Sequence, residues 1–433
     1  MERTLIKDLK EHVGQEVLLK GWIQELRNLS KIKFIILRDR SGDMQTVAFN
    51  GETEDDSFKA IDDFTKESVV EIVGTVKENK TSRWGIEIGI KNIKLVSLSE
   101  VPHPIDNSDK SQTNIDKRLD FRFLDTRNLK KQAIFKVRGK ITKILANFFD
   151  ANGFTNIQTP KITTLGVESG AELFKVDYFG KPIFLSQSPQ IYKQMFVMGG
   201  FERVYEIAPV FRAEKSHTSR HLTEFTGVDF EMAFIKDETD IMGLIENMLV
   251  DLLTKLKTES ADELKILEVE PIIPENIPRL TMKEAKELLK EKGKTYSDDE
   301  DLDSEGEMLL GGIVKEKYNS EFVFITKFPW AVRPFYHMKD ADGDTKSFDL
   351  LFNGVEICTG AQREHRYEIL KQQAADKGLD MKEMVKYGEI FRYGCPPHGG
   401  VGFGLDRITQ RFLNLENVRE AVLLPRDPER MDP

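Results

Sequence analysis

The sequence predicts an α+β protein of two domains, and three patterns lead to this fold class. Residues 16–97 contain five short apolar runs separated by turn residues, which is typical of a small β-barrel. Residues 131–152 repeat apolar side chains at spacings of three and four, which predicts a long amphipathic helix. Apolar runs on both sides of residues 211–225 and of Asn353-Gly354 predict hairpins of a larger sheet.

The composition is that of a folded protein too long for a single core. The chain has 433 residues, of which 39% are hydrophobic and 31% charged, which argues against a disordered chain or a membrane protein. A net charge of -10 means that a nucleic-acid partner would need a local basic surface. The sequence contains no signal peptide core and no bilayer-length apolar run, so we expect a cytoplasmic protein. Its cysteines, Cys358 and Cys395, are too few for a four-cysteine zinc site.

The predicted barrel occupies residues 1–100. Its strands are expected at residues 16–23, 34–38, 45–49, 68–76 and 85–96. An OB-fold fits five short strands at this spacing, and such barrels bind single-stranded nucleic acid by stacking bases on aromatic side chains. Proline and serine interrupt both periodicities near residue 101, so residues 101–125 are expected to form a linker or hinge, followed by a second domain at 126–433.

A cation-rich loop lies inside the hairpin that is predicted around residues 211–225. Arg212 and Arg220 can each place a guanidinium fork on phosphate oxygens, and Phe225 can stack on a base. These groups suit the formation of an acyl-adenylate, because negative charge builds on the α-phosphoryl group during attack by a carboxylate. By itself the loop could equally be an ordinary solvated hairpin.

Three segments together resemble class II aminoacyl-tRNA synthetases. Phe211-Arg212-Ala213-Glu214, with His221 and Phe225 after the loop, resembles motif 2, and residues 400–407 (Gly-Val-Gly-Phe-Gly-Leu-Asp-Arg) resemble motif 3. Residues 131–160 resemble motif 1, a helix and a strand ending at proline that pack across a two-fold axis in the family, so the resemblance implies a homodimer. It also implies that the second domain is a catalytic domain with an antiparallel sheet flanked by helices.

The resemblance implies an ATP site with two catalytic arginines, Arg212 and Arg407. The residues expected to bind ATP are Arg212, Glu214, Arg220, His221, Phe225, Glu356 and Arg407.

A magnesium site is expected beside the ATP phosphates. Asp349 and Glu356 flank the Asn353-Gly354 turn and are predicted to face each other as hard oxygen ligands, although an exposed acid pair is the alternative. The following residues 358–364 resemble the aspartyl signature Ser-Gly-Gly-Gln-Arg, with Thr359 in place of the metal-binding serine. The implied Mg²⁺ ligands are Asp349, Glu356 and Thr359.

The same resemblance implies an aspartate site. Residues 187–194 (Gln-Ser-Pro-Gln-Ile-Tyr-Lys-Gln) resemble a family motif whose lysine holds the substrate's side-chain carboxylate. Lys193 and Arg363 are expected to form a doubly cationic pocket that asparagine cannot satisfy. The strand after motif 2 places Asp229 and Glu231 on one face, where buried acids would need partners. The residues expected to bind aspartate are Glu168, Gln190, Lys193, Asp229 and Arg363.

The barrel resembles the anticodon-binding barrel of aspartyl-, asparaginyl- and lysyl-tRNA synthetases, on Gly21-Trp22 and residues 33–39. The resemblance implies that Phe34 stacks on an anticodon base, that Gln45 reads a base edge and that Arg27 approaches the nucleic acid. Strand alternation leaves open that Phe34 is instead a core aromatic.

The resemblance extends from about residue 15 to the end of the chain and is closest to the aspartyl enzymes of the archaeal and eukaryotic type. It implies activation of L-aspartate by ATP and transfer to the 3′ end of tRNA-Asp, and it leaves open whether tRNA-Asn is also charged. An asparaginyl enzyme is the alternative that Gln362-Arg363 disfavours. A non-catalytic tRNA-binding paralogue is disfavoured by the presence of Arg212, Glu356 and Arg407.

Overall fold

The structure, a computed structural model, describes residues 1–164, 173–214, 219–382 and 384–432. The chain divides into two compact units, Met1–Asp106 and Asn107–Pro433. In the described ranges, none of the helices combines the length and the apolar character that crossing a membrane requires.

The first unit is the predicted five-stranded barrel, closed in the order β1-β2-β3-β5-β4. Its elements are β1 (Glu16–Asn28), β2 (Ile32–Asp39), β3 (Gly42–Phe49), helix α1 (Asp55–Ala60), β4 (Val69–Glu78) and β5 (Ile86–Ser97). Alternate residues of each strand fill the interior, as Ile35 and Leu37 do on β2.

One outer face of the barrel carries the three residues predicted to bind an anticodon. Phe34 alternates with the buried Ile35 and is itself half-buried, so it lies on the outer face of β2 rather than in the barrel core. The register places Arg27 opposite Phe34, and Gln45 opposite Ile36 on the next strand. Directly opposed residues share a face, so Arg27, Phe34 and Gln45 lie on the same side of the sheet.

The second unit is built on an eight-stranded sheet in the order β12-β13-β14-β15-β16-β11-β10-β6. A separate three-stranded sheet has the order β7-β9-β8. The strands are β6 (Thr155–Asn156), β7 (Ile162–Thr163), β8 (Lys175–Tyr178), β9 (Lys181–Leu185), β10 (Arg203–Phe211), β11 (Glu224–Ala233), β12 (Arg279–Thr281), β13 (Phe322–Thr326), β14 (Ser347–Phe352), β15 (Val355–Gln362) and β16 (His398–Gly404). The six central strands are antiparallel, as predicted, while the outermost pairs β12–β13 and β6–β10 are parallel.

Helices flank this sheet. They are α2 (Ile115–Asp120), α3 (Arg122–Asp125), α4 (Leu129–Ala151), α5 (Gln190–Phe196), α6 (Glu238–Glu259), α7 (Ala261–Leu267), α8 (Met282–Glu291), α9 (Ser304–Tyr318), α10 (Tyr367–Asp376), α11 (Val385–Ile390) and α12 (Leu405–Phe412). The long helix predicted at 131–152 is confirmed as α4, and its apolar stripe packs on the sheet: Phe149 stacks on Tyr205 with ring centroids 4.8 Å apart and lies 5.5 Å from Phe230. This packing fixes β10 and β11.

Two segments differ from their prediction. The strand expected at 154–160 is reduced to Thr155–Asn156, because the amide and hydroxyl of Thr159 donate to the side chain of Glu206 instead of continuing the ladder. Within the predicted linker at 101–125, α2 and α3 are helical. Arg122 of α3 donates to the carbonyls of Glu420, Val422 and Leu423, which attaches this segment to the second unit.

Candidate active site

The cation-rich loop connects β10 and β11, as the sequence predicts. The two strands are antiparallel, with Val210 opposite Phe225 and Phe211 opposite Glu224. The amide of Arg212 donates to the carbonyl of Thr223 at 2.9 Å, which extends the pairing by one step beyond the strands. Arg212 therefore leaves the sheet beside Phe225, and its guanidinium carbon lies 5.2 Å from the centre of that ring.

One cavity brings together all seven residues predicted to bind ATP. It is lined, among others, by Arg212, Glu214, Arg220, His221, Phe225, Glu356 and Arg407. Arg407 extends from α12, and its Nη1 donates to the carbonyl of Glu356 at 3.1 Å. Residues from β10, β11, β15 and α12 thus meet in one cavity although they are nearly 200 positions apart in the chain.

Three cations are among the residues that line this cavity, together with four acids. The cations are Arg212, Arg220 and Arg407, and the acids are Glu214, Asp229, Glu356 and Asp406. Burial lowers the pKa of His221, and nearby Arg407 lowers it further, so this ring is neutral at pH 7. Glu214 lies 3.9 Å from Arg212 and 3.7 Å from His221. Three guanidinium forks around one cavity suit a ligand with several phosphate groups.

The hairpin predicted to hold magnesium forms, but in a different register. Asn353 and Gly354 both have positive φ, 47° and 71°, as a tight hairpin turn requires. The Asn353-Gly354 turn pairs Phe352 with Val355, so Glu356 lies opposite Leu351, and a bulge further along the hairpin places Asp349 opposite Thr359. The prediction that Asp349 and Glu356 oppose each other was therefore wrong, because the residue that the turn places opposite Glu356 lies two positions after Asp349.

The three predicted metal ligands still lie close together. The hydroxyl of Thr359 donates to Glu356 Oε1 at 3.1 Å. Arg333 Nη2 donates to Asp349 Oδ2 at 2.6 Å, whereas the buried Oδ1 of Asp349 has no hydrogen-bond partner among the described residues. Burial raises the pKa of Asp349, and the carboxylate of Glu356 adds to the rise, while Arg333 opposes it. The sequence analysis missed Arg333, although it stands in an apolar run where a charge needs a partner.

The residues predicted to bind aspartate form a buried charge network. Lys193 Nζ donates to Asp229 Oδ1 and to the carbonyl of Val401, each at 3.0 Å, and lies 3.4 Å from Glu231 Oε2. Arg363 Nε donates to Glu231 Oε1 at 2.9 Å. The predicted doubly cationic pocket is thus wrong in its charge, because Asp229 and Glu231 compensate both cations, as burial in a low dielectric demands.

Glu231 and His337 belong to this network, although neither was predicted to bind the substrate. Arg363 Nη1 donates to His337 Nε2 at 3.0 Å, which requires a neutral ring. Burial, reinforced by Arg363, lowers the pKa of His337 well below its usual value. Alternation with Asp229 on β11 predicted that a buried Glu231 would need a partner, and Arg363 is such a partner. For His337 the sequence offers no comparable pattern.

The residues predicted to bind aspartate differ in which cavity they line. Gln190 lines a second cavity that shares Gln187 and Ser188 with the first, and Asp229 lines the first. Arg363 Nη2 donates to Gln190 Oε1 at 3.2 Å, so the buried network reaches the wall of the second cavity through Gln190. Glu168 lies outside the described residues.

Two family models match the chain. Residues 17–96 match the OB-fold nucleic acid binding domain, and residues 114–428 match the tRNA synthetases class II (D, K and N). The chain belongs to this class II synthetase family. The match covers both the barrel strands and the sheet that carries the two cavities.

Relatives of this synthetase align over nearly its whole length. It is 44% identical to the aspartate–tRNA(Asp/Asn) ligase of Aeropyrum pernix, over 99% of this chain and 98% of the relative. It is 41% identical to the aspartate–tRNA(Asp) ligase of Pyrococcus furiosus, over 97% of each. The structure of asparaginyl-tRNA synthetase from Pyrococcus horikoshii with asparaginyl-adenylate matches with a TM-score of 0.92 at 30% identity, covering all of both chains. Similarity to a solved structure therefore does not by itself distinguish an aspartate enzyme from an asparagine enzyme.

His398, at the start of β16, contacts Arg363 of the buried network. Its carbonyl accepts from the Arg363 amide at 2.9 Å. Its Nδ1–H donates to the Pro396 carbonyl and its Nε2 accepts from Gln194 Nε2, both at 2.9 Å. Burial lowers the pKa of His398 to about 4 against the partial opposition of Glu231, so the ring is neutral at pH 7.

Acidification should therefore destabilise the synthetase through His398. The pKa of His398 in the folded protein lies below the unfolded value of 6.5. The stability that the neutral ring contributes is therefore complete above pH 6.5 and is lost as the pH falls toward 4. Between about pH 8 and pH 5, this ring should lower the free energy of unfolding by on the order of 2 kcal/mol. Urea denaturation at both pH values measures the decrease in the free energy of unfolding. This decrease should be smaller in His398→Gln by the amount that the ring contributes, whereas His12→Gln in the barrel should show the wild-type decrease. An unchanged fall in His398→Gln would contradict the neutral buried ring.

Proposed function

We propose that this synthetase is an aspartate–tRNA ligase, which joins L-aspartate to ATP and then transfers the aspartyl group to the 3′ end of tRNA-Asp. The observation that carries the proposal is Arg363, buried beside Lys193 and linked through Gln190 to a cavity that adjoins the arginine-lined one. Full-length relatives with names of this activity support it. The free cysteines Cys358 and Cys395 are compatible with action in the reducing cytoplasm.

The first step is an in-line displacement at the α-phosphorus of ATP. A carboxylate oxygen of aspartate forms the new P–O bond while the bond to the β-phosphate breaks, which gives aspartyl-adenylate and diphosphate. Arg212 and Arg407 stabilise the charge that develops on the phosphoryl oxygens, and Phe225 stacks on the adenine. In the second step a ribose hydroxyl of tRNA attacks the aspartyl carbonyl and AMP leaves. Positioning and electrostatics suffice, and no covalent enzyme intermediate is needed.

Asp349, Glu356 and Thr359 fit a magnesium ion. The buried Asp349 Oδ1 without a hydrogen-bond partner, close to a second carboxylate, is a hard oxygen donor of the kind that Mg²⁺ prefers. Among the described residues, no group of three or more His, Cys, Asp or Glu side chains is arranged to hold a metal, so we propose a site completed by phosphate oxygens and water. When bound, the ion would neutralise phosphate charge.

Selection of aspartate follows from the charge network. The substrate's side-chain carboxylate can replace one internal acceptor of Lys193 or Arg363 and bring its own charge. An asparagine amide brings no charge and would leave a buried cation under-compensated, which costs binding energy. Gln190 offers a further donor, because its buried Nε2 has no partner among the described residues.

The range of tRNA substrates is set in the barrel. One relative is named for tRNA(Asp/Asn) and another for tRNA(Asp), and we propose tRNA-Asp as a substrate here, with tRNA-Asn as a candidate second one. Gln24, whose Oε1 is buried without a partner in the described structure, and the loop at residues 80–83 are the positions where we place this choice. Charging assays with both tRNAs decide it.

Aspartate-dependent exchange of pyrophosphate into ATP tests the proposed activity. With magnesium present, aspartate should support exchange and asparagine should not. Equal exchange with asparagine would favour an asparaginyl enzyme, and no exchange with either amino acid would favour a non-catalytic paralogue.

Gln190→Ala should raise the KM for aspartate about tenfold, equivalent to about 1.4 kcal/mol for one hydrogen bond to a charged group, and should leave the KM for ATP unchanged. Gln372→Ala, on the surface of α10, is the matched control and should change neither.

Phe34→Ala tests the anticodon face. Stacking of one base contributes about 1–3 kcal/mol, so tRNA charging should slow by about one to two orders of magnitude. Pyrophosphate exchange, which needs no tRNA, should be unchanged. Val96→Ala removes an exposed apolar side chain from β5 of the same barrel and should affect neither reaction. If exchange and charging fall together in Phe34→Ala, the substitution has damaged the fold and the stacking role is rejected.

We also propose that the synthetase is a homodimer, as the motif 1 resemblance implies. The apolar stripe of α4 is buried in the unit's own core, so it is not the surface that would join two copies. Better support comes from β6, a short exposed strand at one edge of the sheet, and from exposed Phe123 and Leu423. Arg122, next to Phe123, donates to the Leu423 carbonyl, so these two apolar side chains belong to neighbouring segments. An exposed apolar surface of this kind is typical of a protein interface.

Light scattering at micromolar concentration should therefore give twice the 49.7 kDa of one chain. Phe123→Asp places a charge on the proposed interface and should shift the protein toward the monomer. Tyr318→Asp, an exposed aromatic at the end of α9, is the control and should leave the mass unchanged. A fully active wild-type monomer would reject the dimer.

A further inference from the structure

Helix α9 lies in residues 236–320, where no sequence pattern indicated a functional residue. The helix begins after Asp303, whose carboxylate accepts from the amide of Gly306 at 2.7 Å. Its apolar side, including Leu310 and Val314, packs into a small core shared with α8 and β13. Outside that core, α9 contacts two separate elements of the arginine-lined cavity.

The first contact is with Arg220 of the motif 2 loop. Arg220 Nη1 lies 2.9 Å from Glu307 Oε2, and its Nη2 donates to the carbonyl of Ser304 at 3.4 Å. The Arg220 side chain is 15% exposed and that of Glu307 17% exposed, so the pair is largely removed from solvent. The carbonyl of Arg220 in turn accepts from Arg407 Nε at 3.4 Å. Arg220 is therefore held between α9 and an arginine of motif 3.

The second contact is with the turn of the β14–β15 hairpin. Gly311 and Gly354 approach so closely that a side-chain carbon on Gly311 would overlap the backbone of Gly354. A side-chain carbon on Gly354 would lie 2.7 Å from Met308 Cα. The hairpin that bears Asp349 and Glu356 is thus packed backbone to backbone on the helix that holds Arg220. One rigid element fixes both the cation and the hairpin.

We propose that Glu307 is a positioning residue of the nucleotide site, which fixes the guanidinium of Arg220 for the phosphates of ATP. Glu307 stands behind Arg220 and is not among the residues that line the cavity. It accepts from Nη1 of the guanidinium while the carbonyl of Ser304 accepts from Nη2, so α9 holds both ends of the fork, and a guanidinium carries five N–H donors in all. The inference rests on the proposed function in taking ATP as the ligand.

The physical reason is preorganisation. A free arginine side chain loses rotamer freedom when it grips a ligand, and that loss weakens binding. Glu307 already orders the Arg220 side chain in the folded protein, so the rotamer freedom of Arg220 is not lost when ATP binds. Removal of this order should weaken ATP about three- to tenfold, the range expected for one immobilised flexible side chain. Aspartate, which binds at the Lys193–Arg363 network, should not be affected.

Glu307→Ala and Glu307→Gln test this role through ATP binding, measured by calorimetry with ATP and magnesium and no amino acid. Burial, with nearby Glu356, raises the pKa of Glu307 to about 7 against the opposition of Arg220, so the titrations use about pH 8.5, where the carboxylate is charged. Glu307→Ala should raise the Kd for ATP about three- to tenfold. Glu307→Gln keeps an acceptor for the guanidinium and should lose less. In the exchange reaction the KM for ATP should rise in parallel, with the KM for aspartate and kcat nearly unchanged.

Two controls separate positioning from a general effect. Glu316→Ala removes an exposed acid from the same helix and should leave ATP binding unchanged. In an Arg220→Ala background, Glu307→Ala should have no further effect, because Glu307 acts through Arg220.

An unchanged or lower Kd in Glu307→Ala, additive effects in the double variant, or a joint loss of ATP and aspartate affinity would each overturn the proposal. The ATP titration decides this even if the wild-type protein exchanges no pyrophosphate with aspartate, an outcome that would reject only the proposed function.

Discussion

The second unit depends on the compensation of four buried charges. Lys193 from α5 and Arg363 at the end of β15 meet Asp229 and Glu231 on β11, and all four side chains are at most 10% exposed. Burial alone would raise the pKa of Glu231, but Arg363 and Lys193 outweigh it and the pKa is lowered, so this carboxylate is charged. Loss of one member would leave a buried charge without its partner, which is far more costly than loss of a surface ion pair. The network thus fixes how α5 and β15 sit against β11.

A second ion pair fixes the other end of β11. Arg138 of α4 lies 2.6 Å from Asp406, and Asp406 also accepts from the amide of Thr226 at 2.9 Å. One carboxylate therefore connects the long helix, the start of β11 and the helix that bears Arg407. Phe225 and Arg407 face one cavity because both are adjacent to residues held in this way. Asp406 forms this connection, and Arg407, its neighbour in the chain, lines the cavity.

What could be predicted from the sequence was local, and what could not depends on contacts between distant residues. The β10–β11 hairpin and the Asn353-Gly354 turn follow from residues within a few positions of each other, and both were predicted correctly. The bulge after Leu350 is a single-residue change in pairing that leaves no apolar or turn signal. Compensation of Arg363 involves Glu231, 132 positions earlier, and the partner of Arg220 is Glu307, 87 positions later. Such pairs are set by the tertiary fold, and periodicity does not encode them.

Charge compensation also distinguishes the proposed amino acid site from the proposed nucleotide site. In the proposed amino acid site Lys193 and Arg363 already have internal acceptors, so aspartate would bind by exchange, and asparagine would not replace the charge that it displaces. In the proposed nucleotide site Arg212, Arg220 and Arg407 line the cavity, where a phosphate would add contacts to these guanidinium groups. Exchange of charged partners would give selectivity between aspartate and asparagine, whereas added contacts to phosphate would give affinity for ATP. Asp229 lines the arginine-lined cavity and also accepts from Lys193, so this one carboxylate connects the two proposed sites.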